Sequence, residues 1–235
     1  MPDWGADDLT RFLKAVNSNQ IANLANFPEP YSVMRRVNDC FSTGGKNLIN
    51  PEPATTGMLF LRSQYAYKTT VGMALAGQVV EAFVMMRSCL EYAGYALVMF
   101  ADPTLEDVFF GRHVDDAGMK AQKQKFQIRE IRAVVATFDN KLALIFKEFY
   151  DRAIDFGGHP NPFAVCNAVQ MASSGSGHTF RTLALSKDEI TLRHTMKSTA
   201  EVGITALFIF QHIFKAKFEL LGLRAELDSL RQANL

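Results

Sequence analysis

The amino-acid sequence predicts an all-α protein: an antiparallel bundle of about four long helices plus short helices, with one small β-hairpin near residues 179–193. Three observations predict it. Apolar residues recur at i, i+3, i+4 spacing, most clearly as Ile128, Ile131, Val134, Val135, Phe138, Leu142, Ile145, Phe146 and Phe149. Two adjoining stretches, about 55–77 and 78–100, are nearly all apolar and make an antiparallel helical hairpin. Clusters of Gly and Pro then punctuate the chain where helices must stop.

The elements follow in order. Asp7–Asn17 and Tyr31–Phe41 are short amphipathic helices separated by Asn26-Phe27-Pro28-Glu29-Pro30, and Ser42-Thr43-Gly44-Gly45 with Asn50-Pro51-Glu52-Pro53 makes a loop. Residues 1–53 thus read as an N-terminal helical appendage, and residues 54–235 as the bundle. The hairpin of long helices ends at Ala101-Asp102-Pro103, followed by a short helix Thr104–Arg112 and a solvated, charged stretch His113–Lys125. A third long helix spans about Phe126–Phe156 and is closed by Gly157-Gly158. A short helix through about Met171 and a flexible turn, Ser173-Ser174-Gly175-Ser176-Gly177, come next. Phe180–Leu185 and Ile190–Arg193 pair as the β-hairpin, although Ser186-x-x-Glu189 also fits a capping box that would start the next helix early. The last long helix covers about Met196–Gln232.

Composition narrows the function classes. A chain of 235 residues with 48% hydrophobic residues can bury one large core. Its net charge of +1 supplies no global field toward nucleic acid or anionic membranes, and leaves local patches open. Cys40, Cys89 and Cys166 are far apart and lack a C-x-x-C pair, so they read as reduced, mostly buried thiols. The charge-free runs Thr69–Val80, Tyr92–Phe100 and Val202–Phe214 are each shorter than the roughly 18–20 residues that span a bilayer, so core helices and no membrane partner are expected. No secretory signal is visible after Met1, and a cytoplasmic location is expected.

Familiar catalytic signatures are missing. Gly44-Gly45-Lys46 lacks the upstream glycine of a P-loop, and Ser174-Gly175-Ser176-Gly177 lacks the context of a nucleophile elbow. The five histidines include no H-E-x-x-H, and Arg112-His113-Val114-Asp115-Asp116 suits a solvated loop as well as a metal ligand set. No cofactor and no metal is expected.

Two constellations carry more. Val80, Phe83, Arg87, Leu90, Gly94 and Leu97 form one helical stripe, so a guanidinium stands where a core leucine belongs. Such a charge needs a partner, and Glu91 or Glu81 would supply it; Tyr92 and Arg62 complete a polar site that either locks helix packing or lines a small-ligand pocket. Further on, Asp151 and Asp155 share a helix face and His159 follows the helix end, with Pro160 and Pro162 bracketing Asn161. A histidine positioned by a carboxylate suits general acid-base chemistry; equally, Asp155 and His159 could cap the helix and bond to a neighbour.

Glu81-Ala82-x4-Arg87-Ser88-x-Leu90-Glu91-Tyr92 together with Tyr150-Asp151-x7-His159-Pro160-Asn161 resembles a group of bacterial all-helical proteins over about residues 58–215. More distantly, the chain is similar to the HEPN superfamily of helical bundles, which includes metal-independent ribonucleases with four to six residues between an arginine and a histidine. Arg152 and His159 have six residues between them. That resemblance implies Arg152 and His159 as catalytic residues on RNA or a nucleotide, with Arg87 stabilising phosphate. The residues themselves, in a near-neutral chain without a basic aromatic stripe, point first to a non-enzymatic binding or interaction module. Leu220, Leu223, Leu227 and Leu230, flanked by Arg224, Glu226 and Arg231, follow a coiled-coil pattern and predict a homodimer, unless the stripe packs onto its own bundle.

Overall fold

The computed structural model describes residues 5–158, 162–174 and 177–234. Helices dominate it. α1 (Asp8–Asn26) and α2 (Pro28–Lys46) meet at Phe27, and α2 runs through Ser42-Thr43-Gly44-Gly45, where a loop was expected. α3 (Ala54–Ala76) and α4 (Val79–Ala101) form the expected antiparallel hairpin. Its turn is Gly77, whose φ of +82° suits glycine, with the Gln78 amide donating back to the Met73 carbonyl at 2.9 Å.

α4 is the axis of the molecule. α3 and α10 (Glu189–Ile213) pack along it, and α7 (Ile128–Phe138) and α8 (Asn140–Ala153) cover its second half. Phe83, Met86, Cys89, Leu90, Ala93, Leu97 and Met99 are all buried there. By length and composition alone, α4 could cross a bilayer; in the bundle, 56% of its most apolar window is buried. α2 joins the same core through Val37, Cys40 and Phe41, and Tyr67 of α3 donates its hydroxyl to the Met34 carbonyl at 3.0 Å. α1 is joined differently. Asn19, Gln20 and Asn23 donate side-chain amides to the Ala76, Gly72 and Leu75 carbonyls at 3.0, 2.9 and 2.8 Å, and those of Ala76 and Leu75 are acceptors that the end of α3 leaves without helical partners.

Several expected spans are interrupted. The stretch His113–Lys125 contains α6 (Asp116–Lys125) after α5 (Leu105–Phe110) and a 3-10 turn, Gly111–His113. The expected helix 126–156 is α7 and α8 with Asp139 between them, because the Asp139 carboxylate accepts from the amides of Lys141 and Leu142 and starts a new helix. α8 then passes into a five-residue π-helical turn, Ile154–Gly158. There Gly157 lies so close to the Val80 carbonyl that an added Cβ would sit 2.2 Å from it.

A β-hairpin is present, with different strands from those expected. β1 (Val169–Ser174) pairs antiparallel with β2 (Gly177–Thr182), setting Met171 opposite Phe180, after α9 (Pro162–Ala168). Ile190–Arg193 instead lie in α10, whose first turn Asp188 caps by accepting from the Thr191 amide at 2.8 Å. The final span breaks into α10, α11 (Lys215–Leu220) and α12 (Leu223–Asn234). Leu223, Leu227 and Leu230 are buried in the chain's own core, while Leu220 is 86% exposed. Three of the four leucines on which the homodimer expectation rested are therefore used within the chain.

Candidate functional site

Arg87 and Glu91 do pair, one turn apart on α4, with Nε donating to Oε1 at 2.8 Å. They sit at the rim of the core rather than inside it, with side chains 27% and 30% exposed. Tyr150 of α8 closes the group: its hydroxyl donates to the same Glu91 oxygen at 2.9 Å, and the Arg87 guanidinium lies 5.4 Å from its ring centre. Burial and the Glu91 charge push the Tyr150 phenol up to about 12. Burial works against the Arg87 charge, and Glu91 outweighs it, so its pKa is raised. Glu81 is exposed and faces elsewhere; Tyr92 and Arg62 form a separate contact, hydroxyl to guanidinium at 3.5 Å.

Arg152 belongs to a second cluster between α8 and α10. Its guanidinium donates to Glu148 at 2.6 Å and to Glu201 at 3.4 Å, and lies over the Phe149 ring at 5.1 Å. Glu201 is buried with Lys197 3.6 Å away, and burial raises its pKa despite both cations. Asp155 is exposed beside this cluster, and Asp151 pairs with Lys147. His159 and Asn161 lie outside the described residues. The two clusters are thus charge-paired within themselves, which is the arrangement that locks helices.

The largest cleft described is elsewhere, about 980 Å³ between the first turns of α4 and α10, the π-helical turn and the segment that follows β2. Its floor is aromatic. Phe83 and Phe156 stack at 5.1 Å, and the His194 ring lies 6.2 and 6.0 Å from them. Burial, and then the charges of Arg152 and Lys197, hold the His194 pKa below its ordinary value. At neutral pH the imidazole is uncharged and offers one donor and one acceptor beside the two phenylalanine rings, and Thr191 and Thr195 of the same helix also line the cleft. Val79, Val80 and Ile190 form much of the wall, with Glu81, Arg181 and Lys187 at its edges.

Arg87, Glu91, Tyr92 and Arg62 do not line this cleft, and of the predicted site residues that are described only Glu81 does. Sequence reasoning missed Phe83, Phe156 and His194 as a group because they come from three elements with no shared motif. Among the described residues, no three His, Cys, Asp or Glu side chains are grouped to hold a metal ion. Cys40 and Cys89 are buried, with thiols pushed up to about 12 by burial, and Cys166 is exposed. Comparison with known proteins found no matching family model, curated protein or solved structure.

Proposed function

We propose that this chain is a non-enzymatic helical binding module that takes a small, largely apolar molecule, carrying one hydrogen-bonding group, in the cleft above Phe83, Phe156 and His194. The observation that carries this reading is the contrast between charged clusters that satisfy one another and a roomy, aromatic-floored cleft in which the His194 imidazole stands beside Phe83 and Phe156, with the hydroxyl side chains of Thr182, Ser186, Thr191 and Thr195 also in its lining. Apolar walls supply affinity, and the imidazole selects orientation.

The probe is 1-anilinonaphthalene-8-sulfonate, followed by fluorescence titration. One saturable site is expected in the wild-type protein. Val80→Trp, which fills the cleft, should weaken binding at least about tenfold, in keeping with a ligand whose surface is mostly enclosed. Val84→Trp, one turn along α4 and outside the cleft, should bind as wild type does. No saturable binding, or equal binding by Val80→Trp, overturns the reading. In the same preparations RNA should stay intact, since the Arg152 guanidinium is engaged by Glu148 and Glu201; cleavage abolished by His159→Ala would replace a binding module with a ribonuclease.

A further inference from the structure

We infer that residues 183–188, the strap between β2 and α10, are the gate of this cleft, latched at Gly77. The inference rests on the cleft being a ligand site. The strap has no regular structure and is held at both ends: the Leu183 amide donates to the Ala168 carbonyl at 2.7 Å, and Asp188 caps α10. Between those anchors, the Ser186 amide donates to the Gly77 carbonyl at 2.8 Å.

The latch depends on the glycine turn twice over. Gly77 needs its positive φ, and its missing side chain lets the strap settle: a Cβ there would stand 2.5 Å from the Ser186 carbonyl oxygen and 3.0 Å from the Ser186 nitrogen. Both are backbone atoms, which cannot swing aside as a side chain does. Ser186 and Lys187 also line a second cavity of about 400 Å³ on the side of α1, bordered by Asn19, Asn23 and Phe27. The strap is a wall common to two cavities, and lifting it from Gly77 widens access to the cleft.

A matched pair of glycines makes this testable. Gly222 has a φ of +69° but open space around its Cβ position, so Gly222→Ala carries the left-handed strain of Gly77→Ala without the collision. Ser186→Pro removes the donor from the strap side and serves if Gly77→Ala does not fold. Amide exchange measures the latch directly, and stopped-flow binding of 1-anilinonaphthalene-8-sulfonate measures the gate. In Gly77→Ala, the Ser186 amide should exchange faster while the interior of α10 stays protected. Probe association and dissociation should both rise about five- to tenfold in each, the effect of losing one hydrogen bond, and in Gly77→Ala, whose glycine does not line the cleft, the equilibrium constant should be little changed. Gly222→Ala should keep wild-type rates. Saturable binding with the same rates in all variants overturns the gate and leaves the cleft reading intact; no saturable binding in wild type overturns both.

Discussion

Glu91 Oε1 accepts from both Arg87 and Tyr150; the phenol is buried, but the two charged side chains of the group remain partly in water. The group is accordingly worth less than a buried ion pair. Arg87→Met or Tyr150→Phe should each cost about 1–2 kcal/mol, between an exposed pair and a charged hydrogen bond in the interior. Because both act on one oxygen, the double variant should cost less than the sum. Equilibrium unfolding in urea measures this, and strict additivity would show that the two donors act separately. The sequence revealed the pair because the i, i+4 spacing sets both on one face. It could not decide between Glu91 and Glu81 by charge alone, yet six positions on a helix turn Glu81 well away from Arg87. Tyr150 was in view as part of a motif, but its contact spans 59 residues of chain.

At the scale of elements, α12 shows how one pattern serves two outcomes. A leucine every third or fourth residue fits a partner helix or the chain's own core, and Leu227 and Leu230 are fully enclosed by the latter. Leu227→Ala should therefore destabilise the fold by about 2–5 kcal/mol, whereas Leu220→Ala should stay within about 0.5 kcal/mol of wild type. Denaturant midpoints at two protein concentrations check this: a loss that depends on concentration would restore the dimer argument. Long helices were legible because burial imposes a period of 3.6 on their sequences. The break at Asp139 was not, since the apolar period continues across a single capping residue. The β-hairpin was expected but placed too far along the chain, for a related reason. Every described residue of β2 is exposed, so no buried face imposes the alternation by which a strand is read.

For the molecule as a whole, two histidines set the response to acid, His194 at the exposed surface of the cleft and His212 half-buried. His194 and His212 both have pKa values lowered, first by burial; cations add to this at each, and Asp139 partly offsets it at His212. A group lowered on folding contributes stability above its unfolded pKa and loses it as pH falls through the folded value. Melting temperature should thus decline between pH 7.5 and 5.5, and His194→Gln with His212→Gln should flatten the decline. Glu201 acts oppositely: its pKa is raised, so its contribution is present below its unfolded value and lost as pH rises through the folded one. Calorimetry at the two pH values distinguishes them, and an unchanged slope in the double variant would assign the acid response to other groups.

The two N-terminal helices are attached by different forces. α2 reaches α12 through Arg36 and Glu226, a 2.7 Å ion pair with both side chains about a third exposed, whereas α1 reaches the end of α3 through three uncharged amides. Ions in solution screen charges at the surface over about 8–10 Å at physiological strength and do little to neutral hydrogen bonds. Rising ionic strength consequently loosens the tie between α2 and the chain's last helix while leaving the seam between α1 and α3 as it was. The same protein has one salt-sensitive fastening and one that is indifferent to salt, only a helix apart.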